Sequence, residues 1–574
     1  MMALFEKRTW RWSAWILVLL KLWLAETLHI LAIGAASIDD RLFVTLADYL
    51  AKGQWLGPYT YLTLAKGPVY PMFIAGSFLL GLPLGFSQQV AYAAACWLVV
   101  KALKPAIARE SALFLVFALL LWNPMSYEVM VLGRVLRQNI GTPLALAVFA
   151  GVAGLALRSD RPLGKQVGWG LLLGFSFGLF WLTREEGVWI LPLGVIVAVG
   201  VALRRIFTGG FSGLRGLAGA ALLATGAAWA VIAGVSAMNL KHYGWYGTVE
   251  FRAPEFLDAY GALQRVYPRG QIPMVPVSRA ARERIYAVSP AFTALKPWID
   301  GPDGEAMAAG CTYLTGRPKQ EREVAGGWFV WLLREAVWRS GNAPDAHTEL
   351  NFYARLAREV NTACESGKLK AGAPRSGMMP VWQNGYTARL PGTFLRYADY
   401  FTSFRGFNVG PGFSSGTAGQ LTLFRDMTRD RLYPVQGQQT QVLSLREEGD
   451  RTRRAILYYI GKSMRWVLWI GGWSAAALWL YWGLILRKSR PLGEMWLLAS
   501  GLLVSCASLL AIDAMIEVSS FPLMSPGSLA EAYPLWIVFV ALTWIGFLEA
   551  RSTAVAKGSR KNSGAVGPSR QGTA

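Results

Sequence analysis

The strongest constraint on this chain is a series of apolar runs, at about residues 13–36, 68–84, 87–103, 111–123, 141–157, 167–183, 187–203, 217–238, 464–486, 495–512 and 532–549. A hydrocarbon core of roughly 30 Å is crossed by about 20 helical residues. Lipid offers no partner for a free backbone amide or carbonyl, so runs of this kind must close their hydrogen bonds internally as helices. A membrane barrel would need short alternating strands, and these runs do not alternate. The expected fold is therefore an all-α polytopic membrane protein, a bundle of about 10–11 transmembrane helices with a mainly helical extracytoplasmic insertion.

Charge orients the bundle. The excess of 57 Lys+Arg over 35 Asp+Glu gives a formal charge of +22, which in such a chain reads as cytoplasmic loops and contact with anionic lipid. No interleaved basic and aromatic patch points to nucleic acid. Lys7, Arg8 and Arg11 precede the first run without a small-residue cleavage site after it, which reads as an uncleaved first span. Lys101, Lys104 and Arg109, then Arg158, Arg161 and Lys165, then Arg204, Arg205 and Arg215, then Arg487, Lys488 and Arg490 mark further cytoplasmic connections. The tail after Arg551 is also basic. This predicts a multi-pass protein of a bacterial inner membrane with both termini cytoplasmic. One crossing is then surplus among 68–84 and 87–103: either one segment is partial or re-entrant, or one basic loop breaks the rule. Loops 37–67, 124–140, 184–186, 239–460 and 513–531 fall together on the outer side.

Four parts follow: an N-terminal membrane module at 1–238, an outer soluble domain at 239–460, C-terminal membrane helices at 461–550 and a basic, disordered tail at 551–574. Within the soluble part, 279–299, 326–339 and 345–364 have helical periodicity, whereas the Gly/Pro/Ser-rich stretch 371–420 reads as irregular loop. It carries no repeat, phosphate-binding loop or nucleophile elbow, so a lid or docking domain is expected rather than a second enzyme. Cys311 and Cys364 both lie there and are able to pair if close enough. His29, His242 and His347 have no metal-ligand spacing. Trp298, Trp328, Trp331, Trp338 and Trp382 suit either sugar stacking or packing, with packing the commoner use.

The first outer loop opens on Asp39-Asp40, and Leu42, Leu46, Tyr49 and Leu50 then recur at helical spacing, which predicts a short amphipathic helix at the interface. The loop continues through Gly53-Gln54-Trp55 and Pro58 and ends on Lys66-Gly67-Pro68. Carboxylates at a membrane boundary need a reason; one is a helix cap, another is chemistry. Group transfer from a phosphate to a hydroxyl requires a base for the hydroxyl and cations for the leaving phosphate. Asp39 or Asp40 suits the first role, and Lys66, Arg134 and Arg137 the second. If helical, Arg134 and Arg137 share a face and clamp one anion; otherwise they snorkel to headgroups. Gln138 and Asn139 follow as candidate sugar contacts.

Asp39-Asp40, Phe43, Gly53-Gln54-Trp55, Pro58 and Lys66-Gly67-Pro68, in that order and membrane position, resemble the first outer loop of GT-C class membrane glycosyltransferases, nearest to the protein O-mannosyltransferase and lipid A aminoarabinose transferase group. The likeness covers about the first hundred residues. It departs twice: Gly67 stands where the group often has proline, and the next outer loop, Gly133-Arg134-Val135-Leu136-Arg137-Gln138-Asn139, lacks the usual acid. The resemblance implies a lipid-linked sugar donor, an inverting displacement, Asp39 as base with Asp40 the alternative, no required nucleotide, and in some relatives a divalent cation. Thr183-Arg184-Glu185-Glu186-Gly187 places three charges between two apolar runs. There Glu185 or Glu186 is a candidate for the missing acid, for acceptor hydroxyls or for a metal, and Arg184 for phosphate; a tight turn closed by a local salt bridge is the plainer reading. Asp513 and Glu517 precede Tyr533-Pro534, where Tyr533 is expected as an interfacial anchor.

The expected function is transfer of a glycosyl unit from a polyprenyl-phosphate donor to a glycan, lipid or protein acceptor on the outer face. The alternatives are a transporter or flippase of an anionic lipid-linked substrate, which needs its charges near the midplane, and a non-enzymatic membrane scaffold.

Overall fold

A computed structural model describes residues 2–184, 187–209, 214–267, 270–437, 445–485 and 492–563. Among them the chain is helical, with a few isolated bridges and no extended sheet. Six helices are long and apolar enough to cross a membrane, or up to eight if each of two bent pairs counts as one span. Among the described residues the helices that pass this length and composition test are fewer than the 10–11 apolar runs, for identifiable reasons. Val167–Trp181 is apolar but has 15 residues. Met2–Ala25 is a helix, yet the apolar run that was expected to continue it to residue 36 leaves helical geometry after Ala25. Ile30 and Ile33 instead form parallel bridges to Leu432 and Ser415, so the end of that run is buried extended chain.

The surplus crossing resolves as well. Val69–Leu79 and Leu84–Leu103 meet at 113°. At 1.5 Å per residue, the 11-residue first member is about 16 Å long, roughly half the hydrocarbon thickness. It does not cross alone. Gly81, at φ +74°, and Pro83 break the helix between them.

Packing in the membrane part uses small residues. Gly170, Gly174 and Gly178 lie four apart on Val167–Trp181 and face the backbone of Ala220, Ala224 and Ala228 on Arg215–Tyr243. A Cβ at Gly174 would fall 2.2 Å from the Ala224 carbonyl oxygen, so the helices touch backbone to backbone, where dispersion contacts are densest. Gln138–Ala156, rich in Gly and Ala, is buried along almost its whole length.

Outside, Pro254–Gln264, Gly326–Arg339 and Ala346–Glu365 pack around Phe256, Tyr260, Leu333 and Tyr353. The stretch expected as irregular loop contains the helix Asn384–Thr402; its Tyr397 and Phe401 are buried against the membrane helices and outweigh the Gly/Pro breaker signal. Leu445–Ile485 is one helix of 41 residues, about 60 Å long, and it contains a window long and apolar enough to cross a membrane. Cys311 and Cys364 are both unbridged. Tyr533 is fully buried and stacks on Phe401 at 4.8 Å, not at an interface.

Candidate functional site

The first loop forms the predicted amphipathic helix, Asp40–Ala51, with Leu42, Phe43, Val44, Leu46 and Ala47 buried. Asp39 occupies the N-cap position but makes no side-chain capping bond. Its carboxylate is instead bonded to the Lys66 ammonium. Asp40 receives Arg134 through both guanidinium edges, with Nε donating to Oδ1 at 3.1 Å and the second nitrogen donating to Oδ2. Two adjacent carboxylates therefore each hold one cation from a different loop.

Exposure separates their roles. The Asp39 side chain is 42% exposed, whereas Asp40 is fully enclosed. Burial raises the Asp39 carboxyl, but the Lys66 charge and hydrogen bond, with Arg137 and Arg134 beyond, outweigh it and hold the group below the ordinary carboxylate range. For Asp40 burial wins over the Arg134 interaction, and its carboxyl is raised. Arg134 and Arg137 do not share a helical face: residues 133–137 are irregular, and Arg137 is the N-cap residue of Gln138–Ala156. Both nonetheless act on Asp39 electrostatically. Asn139 is buried and donates to the Arg134 carbonyl at 2.8 Å, which ties down the arginine loop. Gln138 opens the same helix, and its carbonyl accepts from Thr142 at 2.8 Å.

Lys66 is held from several sides. Its ammonium lies 5.3 Å from the Phe43 ring and 5.8 Å from the Trp331 ring, the latter contributed by the soluble part. Gly67 lies so close to Leu182 that a Cβ would fall 1.6 Å from its carbonyl oxygen. That explains glycine where proline was expected. The contact brings the lysine loop against the segment carrying Arg184, whose Nε is 3.6 Å from Glu531, both side chains being buried. Glu531 in turn rests on Gly141, in the first turn of Gln138–Ala156, where the helix N-terminus favours an anion. Glu185 and Glu186 lie outside the described residues.

The rest of the loop is pinned to the helix Arg215–Tyr243 and to the soluble part. Trp55 Nε1 donates to Asn239 Oδ1 at 3.0 Å, and the Tyr243 hydroxyl donates to the Gly57 carbonyl at 2.8 Å. Arg334, fully buried, bonds Glu250, lies 3.8 Å from Glu349 and donates through Nε to the Tyr61 carbonyl at 2.7 Å. The Tyr59 hydroxyl is 2.6 Å from a carboxylate oxygen of each glutamate. Burial, ahead of the opposing Arg334 charge, raises the Glu250 carboxyl, as two acids facing one arginine require. The Glu250 amide donates to the Leu64 carbonyl at 3.0 Å, two residues before Lys66. Sequence reasoning missed this cluster and Glu531. Glu531 carried a signal, a lone acid one residue before an apolar span; Arg334 and Glu349, ordinary charges on helices, and Glu250, at the start of a three-residue turn, carried none.

Among the described residues no group of three or more His, Cys, Asp or Glu side chains is placed to hold a metal ion. The Asp39-Asp40 pair does not fit a divalent cation, because each carboxylate already faces a cationic side chain. Chemically, the arrangement offers a solvent-reachable carboxylate beside three cations and an aromatic wall.

No family model matches the sequence, and no curated protein does. Solved structures similar to it include two of ArnT. One is the crystal structure of ArnT from Cupriavidus metallidurans in the apo state, at 13% identity over 95% of this chain and 77% of that one, with a TM-score of 0.31. The other is ArnT from Cupriavidus metallidurans bound to undecaprenyl phosphate, at 14% identity over 88% and 77%, with a TM-score of 0.32.

Proposed function

We propose that this protein is a membrane glycosyltransferase that moves a sugar from a polyprenyl-phosphate donor to an acceptor hydroxyl on the outer face of the membrane. The observation that carries the reading is the Asp39–Lys66 pair, a half-exposed carboxylate and a phosphate-type cation from opposite ends of one loop, with Arg134 and Arg137 beside it.

In the proposed reaction the acceptor oxygen attacks the anomeric carbon, its proton passes to Asp39, and the bond between that carbon and the phosphate oxygen breaks. The negative charge left on phosphate falls to Lys66, Arg134 and Arg137. Paired with Lys66, Asp39 is a weak base. Donor phosphate drawing Lys66 to itself removes that partner and raises the basicity of the carboxylate, so the base is armed when the donor is bound. Asp40 acts as a positioning residue through Arg134. Attack opposite the leaving phosphate inverts the anomeric centre. Trp331 brings the soluble part against Lys66 as an aromatic wall on one side of the site. The charges cluster at helix ends and loops, where an enzyme at the membrane surface needs them, and not at the midplane where a transporter would.

The test supplies purified protein in lipid vesicles with a radiolabelled polyprenyl-phosphate sugar and a mixture of envelope acceptors. Label appearing on an acceptor, with release of polyprenyl phosphate, supports the reading. Label crossing the bilayer while still on the original lipid refutes it.

A further inference from the structure

Two neighbouring cavities lie at the other end of the helix Gln138–Ala156 from the Asp39 site. Between the helices Gln138–Ala156, Leu191–Gly209 and Arg215–Tyr243 runs an apolar cleft of about 350 Å³, lined among others by Val152, Ala156, Gly194, Val197, Val201 and Leu217. Its neighbour is a polar basin of about 410 Å³ lined by Ser159, Asp160, Arg161, Arg205 and Arg215. Both volumes are of the size that holds a sizeable ligand, about 300–1,000 Å³. The two are continuous in the chain: Val201 is one turn before Arg205, Leu217 follows Arg215, and Ala156 precedes Ser159.

Their position follows from one helix. Gln138–Ala156 starts beside Arg137 at the proposed active site and ends at the basin, 19 residues or about 28 Å away. The basin therefore lies at the opposite membrane boundary, with the cleft extending from it into the hydrocarbon. Val195, Val199 and Leu203 on the helix that borders the cleft are exposed, as expected for a lipid-facing wall.

We infer that the cleft and basin together bind an anionic glycerophospholipid of the leaflet opposite the active site, with an acyl chain in the cleft and its phosphate among Arg161, Arg205 and Arg215. The basin is a built one. Ser159 is buried and accepts from Arg205 at 3.0 and 3.2 Å, which aims that guanidinium. Asp160, 3.8 Å from Arg161 and 3.9 Å from Arg205, and Glu494, which pairs with Arg204 at 2.6 Å and also acts on Arg205, offset two of the four cations Arg161, Arg204, Arg205 and Arg215 and leave a net positive charge suited to one phosphate diester. A free anion would use the basin alone; the apolar cleft feeding into it is what selects a lipid. The inference does not depend on the sugar-transfer reading.

Native mass spectrometry of the full-length protein, titrated with phosphatidylglycerol, with phosphatidylcholine of the same chains and with inorganic phosphate, tests it. Wild type retains phosphatidylglycerol at least about tenfold more tightly than phosphatidylcholine. Arg161→Gln combined with Arg215→Gln, both at exposed positions, removes about fivefold for each arginine. Gly194→Leu places its side chain in the cleft from a position where an added Cβ meets nothing within 4 Å; it weakens phosphatidylglycerol and leaves phosphate binding unchanged. Equal retention of the two lipids overturns the inference. So does displacement of phosphatidylglycerol by equimolar phosphate with Gly194→Leu silent.

Discussion

Replacing Gly67 with alanine adds one carbon at the point where the lysine loop touches the neighbouring helix end. That carbon would fall 1.6 Å from the Leu182 carbonyl oxygen, against a practical lower limit of 3.0 Å, so the two backbones must separate by about 1.4 Å. Neither partner is a flexible side-chain tip. Lys66 is the adjacent residue, and its ammonium is held by Asp39 and between the Phe43 and Trp331 rings. A misplacement of about 1 Å at a reacting group costs on the order of 100-fold in rate, while overpacking costs about 1–3 kcal/mol of stability. Gly67→Ala should therefore lower turnover of a labelled polyprenyl-phosphate sugar by about two orders of magnitude while leaving the protein folded in a thermal melt. Gly76→Ala, on the next helix with nothing within 4 Å of its added carbon, should keep full turnover and melt no lower. Full turnover in Gly67→Ala would refute the idea that this contact sets the position of Lys66.

Three further outcomes follow from the buried carboxyls and their partners. Arg334→Met leaves the two buried carboxyls without their cation and should destabilise by about 3–5 kcal/mol, whereas Glu250→Gln, which removes the surplus acid, should cost clearly less; comparable melting losses would contradict that order. Asp40→Ala frees Arg134 from its buried partner and should slow transfer even though Asp40 takes no proton, whereas an unchanged rate removes its positioning role. Burial raises the Asp430 carboxyl from an ordinary 3.8 to about 6, partly offset by the Gly85 and Leu84 amides. The folded state then holds the proton more tightly than the unfolded one, so stability should fall as pH rises from about 4 to 6 and level off above; Asp430→Asn should flatten that slope in melts across the same range.

Much of the site was legible because its residues lie in short loops between apolar runs, where a charge has few reasons to be. Asp39, Lys66, Arg134 and Arg137 converge as the order of the first loop and the sorting of basic loops suggested. What could not be read was which carboxylate remains accessible. Asp39 and Asp40 are neighbours with the same chemistry, and only the folded loops decide that Arg134 covers one of them. Gly67 looked like a departure from a pattern until its contact with Leu182 gave it a reason. The course of the apolar runs was hidden for a related cause, since hydropathy records the length of an apolar run but not its direction. The turn at Gly81–Pro83 and the extended chain after Ala25 both hide inside apolar sequence. Arg334 and its two glutamates are joined only by long-range packing, which no local periodicity encodes.

The central claim, that Lys66 holds donor phosphate while Asp39 takes the acceptor proton, predicts a split between binding and turnover. Polyprenyl-phosphate affinity and single-turnover sugar transfer would be measured on wild type, Asp39→Asn and Lys66→Ala in one preparation. Asp39→Asn removes the anion that competes for Lys66, so it should bind polyprenyl phosphate as well as wild type or better while losing transfer. Lys66→Ala should lose both. Wild-type transfer by Asp39→Asn, or parallel loss of binding and transfer in the two variants, would contradict the account.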